Sequence, residues 1–149
     1  MPIDEAPPVF RAPMRARDRD LPAGAGGEHG VEHGIVGIGD VEKTDGEKGR
    51  RMLQRFCELP DGVFVWTRGE RFYFLGRIAG PCRRDDSAAA KEVGIHNVRP
   101  ADWHERPFGE HEVPAKVAAT FARGGRNFQR THGEDVERQT AELWREGAP

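Results

Sequence analysis

The chain has little of what marks a disulfide-rich, metal-binding or exported protein. Its two cysteines, Cys57 and Cys82, form no CxxC pair and have no histidine at the short spacing of a structural zinc site. We therefore expect a reduced, cytoplasmic protein without metal or cofactor, in which both cysteines act as buried small hydrophobes. The N-terminus has no cationic start followed by an apolar run, and no stretch is apolar over the length of a membrane helix. We expect neither export nor a membrane partner.

The chain also lacks a net positive charge. The formal net charge is -2, whereas proteins that hold nucleic acid by bulk electrostatics are usually strongly basic. Any site for a polyanion must therefore be local. The arginines do cluster, and the alternative to a local anion site is that they are solvated surface charges. The clustered arginines are Arg68, Arg71, Arg77, Arg83, Arg84, Arg123, Arg126 and Arg130.

Apolar content is low, and the composition is uneven along the chain. Hydrophobic residues make up 36% and charged residues 32% of the 149 residues, so part of the chain should lie outside a single ordered core. Residues 1–30 are rich in proline and glycine, which predicts a flexible segment where only residues 9–14 suggest a short strand. We place the domain at residues 31–132 and a C-terminal helix and tail at residues 133–149.

The clearest local structure is a hairpin. Its arms, VFVWTR and RFYFLGRIAG, are rich in branched and aromatic residues and flank a turn at residues 69–70. Strand alternation points Phe64 and Trp66 to one face of the first arm and Val63 and Val65 to the other. Because both faces are apolar, one must be core, while the other is covered by helices or lines a pocket. A ring on the second face is either core or a surface on which a nucleobase stacks.

The remaining segments fix the predicted fold class. Hydrophobic periodicity and turn residues predict further strands within residues 33–40, 95–103 and 126–131, and helices at 48–59, 113–121 and from 135 onward. The order of elements, with strands in the majority, indicates an α+β fold. We predict a small curled mixed sheet, a partly open β-barrel, with peripheral helices at its rim.

Several of these segments resemble a known family. HGIVGIGD, LQRF, FYFLGRIAGP, NVRPADW, VPAKV and RNFQR are similar to the EVE-type branch of the PUA-like superfamily, whose relatives include the YTH and ASCH domains. The resemblance covers residues 31–132 and is closest to the modules at the front of modification-dependent restriction enzymes. It implies a curled sheet whose pocket accepts a modified base, either flipped from a duplex or exposed in a single strand.

The resemblance also implies the residues of the site. Asp40 and Cys82 stand where aromatic residues are usual, and Asp40 is instead suited to accept a hydrogen bond from an exocyclic amino group. The implied base pocket consists of Gly37, Ile38, Gly39, Asp40, Trp66, Tyr73, Arg99 and Trp103. The implied phosphate contacts are Arg77, Arg83, Arg84, Arg126 and Arg130.

The interpretation we adopt is a reader domain that binds DNA or RNA and performs no covalent chemistry. Because the sequence stops at Pro149 without a nuclease or ATPase module, any effector activity is expected from a partner protein in trans. One alternative is a small enzyme acting on a nucleotide-like ligand, with Asp40 as base and His104 or His111 assisting. Another is a protein-interaction module. Weaker candidates for metal or acid sites are the pair His29 and His33 and the group His104, Glu105, His111 and Glu112.

Overall fold

The computed structural model describes residues 6–16 and 20–146. The strands in these residues are β1 (Val9–Arg11), β2 (Ile35–Ile38), β3 (Phe64–Arg68), β4 (Tyr73–Ile78), β5 (Arg83–Arg84), β6 (Asn97–Trp103) and β7 (Gln129–Arg130). The α-helices are α1 (Ala25–His33), α2 (Val41–Thr44), α3 (Gly46–Glu58), α4 (Ala88–Val93), α5 (Ala115–Ala122) and α6 (Glu134–Glu146), and a 3₁₀ turn covers Glu110–Glu112.

The strands form one mixed sheet. Its order is β2-β6-β4-β3-β1-β7, and β5 pairs with β6 beside this path. β1 runs parallel to β3, with Phe10 opposite Val65, whereas the other pairs are antiparallel. Helices flank the curled sheet, which confirms the predicted α+β class. Among the described residues, no helix combines the length and the apolar character needed to cross a membrane.

Two hydrophobic cores lie on opposite faces of the sheet, as the alternation along β3 predicts. Val63 and Val65 join a first core with Phe56 of α3. Phe64 and Trp66 join a second core, which α5 and α6 cover. The apolar residues 63–66 of this hairpin arm are thus buried on one face of the sheet or the other, and covering both faces requires amphipathic helices.

The central hairpin closes as its sequence predicts. The amide of Gly69 donates to the carbonyl of Phe72 over 2.8 Å, and Trp66 pairs with Leu75 across the two arms. Gly76, in the middle of β4, is a place of close approach. A Cβ atom there would lie 2.6 Å from the ring of Trp103 in the adjacent strand. The glycine therefore lets the indole lie flat against the sheet.

The N-terminal segment differs from the predicted boundary at residue 31. β1 lies between β3 and β7, and its residues Val9 and Phe10 are buried in the two cores. The glycine-rich run that follows forms α1, in which Gly26 packs against the backbone of Met14 and Gly27 against that of Arg68. Glycine here provides close contact rather than flexibility, because a side chain would keep the helix away from the sheet.

The cysteines also differ from the prediction of reduced, separate thiols. Cys57, at the end of α3, and Cys82, just after β4, form a disulfide across a separation of 25 residues. Their positions in the sequence give no sign of this, since the two elements meet only through the tertiary fold. The bond ties the C-terminal end of α3 to the segment between β4 and β5.

Candidate functional site

A cleft opens on the first-core side of the sheet, at the end of β2. Five segments meet there: the end of β2, the helical segment that contains α2 and α3, the turn before β6, the extended chain after β1, and the loop before β7. The lining residues are Pro13, Met14, Arg15, Ala16, Gly37, Ile38, Gly39, Asp40, Val41, Thr44, Asp45, Met52, Gly94, His96, Arg126, Asn127 and Phe128. The structure thus brings together four of the predicted pocket residues, 37–40, and one predicted phosphate contact, Arg126.

The end of β2 is held rigidly. A Cβ atom on Gly37 would lie 2.6 Å from the side chain of Ile95 and 2.8 Å from the carbonyl oxygen of Asn97, so only glycine fits there. The side-chain amide of Asn97 donates to the carbonyl of Gly39 over 3.0 Å. These contacts fix the backbone that carries Asp40 into the cleft.

Asp40 presents a carboxylate at the mouth of the cleft. Arg84 donates from Nη1 to Oδ1 over 2.6 Å and from Nη2 to Oδ2 over 3.4 Å, and the ammonium of Lys43 lies 3.9 Å from Oδ2. The hydrogen bond from Arg84 lowers the pKa of the Asp40 carboxyl below its ordinary value. Asp40 is therefore ionised at neutral pH and accepts hydrogen bonds only.

His96 is a cleft residue that the sequence analysis does not single out. It lies immediately before β6 and is 8% exposed. Its Nδ1 lies 2.9 Å from the carbonyl oxygen of Asp85 and 3.7 Å from a carboxylate oxygen of Asp86. In the sequence, His96 stands out only as a polar residue directly before a buried strand. A histidine at such a position can be structural or functional, so the sequence alone does not assign it to a site.

The apolar part of the cleft is built from methionine and phenylalanine. Phe128 stacks on Phe10 with ring centroids 5.0 Å apart and planes 11° apart, and the ring of Phe56 meets it edge-on at 5.1 Å. Met14 lines the opposite wall with a left-handed φ of 51°, a conformation uncommon outside glycine. The cleft encloses about 30 Å³, which is room for water rather than for a base.

Two aromatic residues of the predicted pocket lie in the second core instead. Trp66 is fully buried, and its indole N–H donates to the hydroxyl of Thr140 on α6 over 3.1 Å. Tyr73 is 2% exposed and packs edge-on against Phe121 of α5. Both rings point away from the cleft because they occupy the other face of the sheet.

Arg99 and Trp103 are also used for packing. Arg99 is 3% exposed, and its guanidinium donates to the carbonyls of Gly80, Phe56 and Leu59 while pairing with Asp61. It thereby satisfies carbonyls at the C-terminal end of α3. The indole N–H of Trp103 donates to the carbonyl of Ile35 over 3.1 Å, and its ring lies against Gly76. Neither residue lines the cleft among the residues described.

The predicted phosphate contacts separate into two groups. Arg83 and Arg84 lie exposed on β5, on the side of Asp40, and Arg126 lines the cleft itself. Arg77 lies over the ring of Phe64, with its guanidinium carbon 4.7 Å from the centroid, on the second-core face. Arg130 pairs with Glu137 of α6 over 2.9 Å.

The histidines proposed for metal or acid sites lie elsewhere. His29 and His33 pack ring against ring on α1, and burial lowers the pKa of His29. His104 packs between Phe108 and Trp144 of the second core, and His111 borders a surface groove beside α5. Within residues 6–16 and 20–146, no three His, Cys, Asp or Glu side chains are grouped as metal ligands would be.

Comparison with known proteins relates the fold to that of a YTH domain. No protein-family model and no curated protein sequence matches the chain. Among solved structures, the YTH domain of the MRB1 protein of Zygosaccharomyces rouxii, in complex with N6-methyladenosine RNA, is similar with a TM-score of 0.50 and 12% sequence identity. The match covers 96% of this chain and 88% of that chain. At this identity the likeness shows the fold alone, so this chain has a fold related to that of the YTH domain.

Proposed function

We propose that this protein is a nucleic-acid reader that binds an unstacked, and in the physiological ligand modified, base in the cleft at the end of β2, without catalysis. The EVE-type branch remains our assignment within this group of folds. The observation that carries the proposal is the cleft itself, in which a rigid β2 end, an ionised Asp40 and apolar walls meet beside exposed arginines. The likeness to a YTH domain solved with RNA supports it through the fold.

Affinity and selectivity would come from different parts of this surface. Arg126 lines the cleft, and the exposed Arg83 on β5 is the chain neighbour of Arg84, which holds Asp40; these two arginines would meet phosphates on either side of an inserted base. The base would enter between Met14 and Phe128, and its edge would face Asp40. This arrangement concentrates positive charge at the site, as a chain with a formal net charge of -2 requires.

The cleft has to widen before a base enters it. Its enclosed volume of about 30 Å³ is far below that of a nucleobase. The longest lining segments outside the sheet and helices are the chain at 13–16 and the loop at 126–128. We propose that these two segments separate on binding, while the end of β2 keeps its place.

Binding of single-stranded oligonucleotides, measured against salt concentration, tests the proposal. The panel contains modified and unmodified bases, and we expect binding without turnover. Arg126→Ala should weaken binding to all oligonucleotides alike and flatten the salt dependence by about one unit of slope. The matched control is Arg145→Ala, which removes an exposed arginine on α6, outside the cleft. It should change neither the affinity for oligonucleotides nor the salt dependence. The proposal fails if the wild-type protein binds no oligonucleotide even at low salt.

A further inference from the structure

We propose that Asp40 and His96 form a pair of hydrogen-bond acceptors that selects guanine, the common base with a ring N–H beside an exocyclic amino group. This inference rests on the proposed function, because it names the base that the cleft takes. Both side chains line the same cleft.

The tautomer of His96 is set by its backbone partner. The carbonyl oxygen of Asp85 can only accept, so Nδ1 of His96 carries the proton across the 2.9 Å contact. In the neutral imidazole, Nε2 then bears a lone pair. Because His96 lines the cleft, that lone pair is the polar group it offers to a ligand.

Asp40 is held as an acceptor by Arg84. The guanidinium takes one lone pair from each carboxylate oxygen and keeps the group ionised, and each oxygen retains a second lone pair. The partner residue lies 44 positions away on β5, so the carboxylate is oriented by the fold rather than by its local sequence.

The donors nearest to this edge are already engaged. The side-chain amide of Asn97 donates to the carbonyl of Gly39, and the hydroxyl of Thr44 donates to a carboxylate oxygen of Asp45 over 2.9 Å. At the end of β2, Asp40 and His96 therefore face a ligand with acceptors, whereas the donors of Arg15, Arg126 and Asn127 lie on the walls formed by 13–16 and 126–128. A base edge that matches Asp40 and His96 must bring donors.

Among the common bases, guanine fits this requirement. Its N1–H and 2-amino group are adjacent donors on one edge. Adenine and cytosine place an amino group beside a ring nitrogen that accepts, and uracil and thymine place a ring N–H between two carbonyls. Each of these bases would set a lone pair against Asp40 or His96 and leave a buried acceptor unpaired.

Analogue substitution at one position of a thymine-rich single strand tests the two donors separately. Inosine keeps the ring N–H and lacks the 2-amino group, whereas 2-aminopurine keeps the amino group and lacks the ring N–H. We expect the wild-type protein to bind the guanine strand roughly tenfold more tightly than either analogue strand. Equal binding of the three strands would overturn the inference, while binding of none would overturn the proposed function itself.

The variant His96→Ala then assigns one donor to one acceptor. The variant protein should bind the guanine strand roughly tenfold more weakly than the wild-type protein does. It should also bind one of the two analogue strands as tightly as the guanine strand, because the donor that this analogue lacks no longer has a partner in the protein. The Asp40→Asn variant should bind the other analogue strand as tightly as the guanine strand. His132→Ala, an exposed histidine outside the cleft, is the control and should retain both discriminations. If both variants still discriminate against both analogues, the pairing is wrong.

Discussion

Single residues show how far a side chain's role depends on partners that are distant in sequence. Asp40 is recognisable as unusual from its sequence context, because it stands where the resembled family has an aromatic residue. The orientation of its carboxylate, however, depends on Arg84, and the backbone that carries it depends on Asn97. Arg99 illustrates the opposite case. It looks like a site residue in the sequence, but it satisfies carbonyls around the end of α3.

Trp66 gives the prediction at this scale. It is fully buried, packs edge-on against Phe108 with centroids 5.4 Å apart, and donates to Thr140. Trp66→Ala should therefore lower the free energy of unfolding by about 3 to 5 kcal/mol, measured by urea denaturation. Phe72→Ala is the control, since Phe72 is 45% exposed, and it should change stability by less than about 1 kcal/mol. Equal stability of the two variants would contradict the assignment of Trp66 to the core.

At the scale of elements, the sequence predicts those whose patterns are local. The hairpin of β3 and β4 follows from two alternating apolar arms joined by a short turn, and α3 follows from helical periodicity. β1 and α1 are different. A three-residue strand has too short a pattern to stand out, and its parallel pairing with β3 joins residues 55 positions apart. For α1, the glycine content predicts flexibility, although all three glycines of the helix are buried, against β3, the start of β2 and the chain that follows β1.

Hydrogen exchange of the N-terminal segment provides the prediction for this scale. The amide of Ala12 donates to the carbonyl of Trp66 over 2.8 Å, and Thr131 donates to Val9 from the other side. Because β1 lies inside the sheet, these amides should exchange only on global unfolding, at the rate of the β3 amides. The exposed residue Ala23, in the turn before α1, should exchange much faster. Fast exchange at Ala12 would show that β1 opens independently of the domain.

At the scale of the whole molecule, the site forms where segments that are distant in the sequence meet in the fold. The sequence alone does not reveal this meeting. The end of β2 and Arg126 were predicted as site residues, and the structure brings them together across 86 positions. His96, Met14 and Phe128 are not among the predicted site residues, because the sequence gives none of them a chemical role and each reaches the cleft only through the tertiary fold. Two of the predicted aromatic residues, Trp66 and Tyr73, lie in the second core because strand alternation assigns them to the opposite face, whereas Trp103 packs against the first core.

This division into two faces gives the last prediction. If the cleft is the ligand site, a bound oligonucleotide stabilises the folded protein by about 2.7 kcal/mol at a concentration one hundred times its dissociation constant. The bound oligonucleotide should protect only some backbone amides against hydrogen exchange. Protection should increase at 13–16 and 126–128, the walls that have to separate and then close on the base. It should stay unchanged along α5 and α6 on the other face. Hydrogen exchange with and without oligonucleotide, under conditions where local opening dominates, measures this. Protection centred on α5 and α6 would place the ligand on the second-core face and contradict the assignment of the cleft.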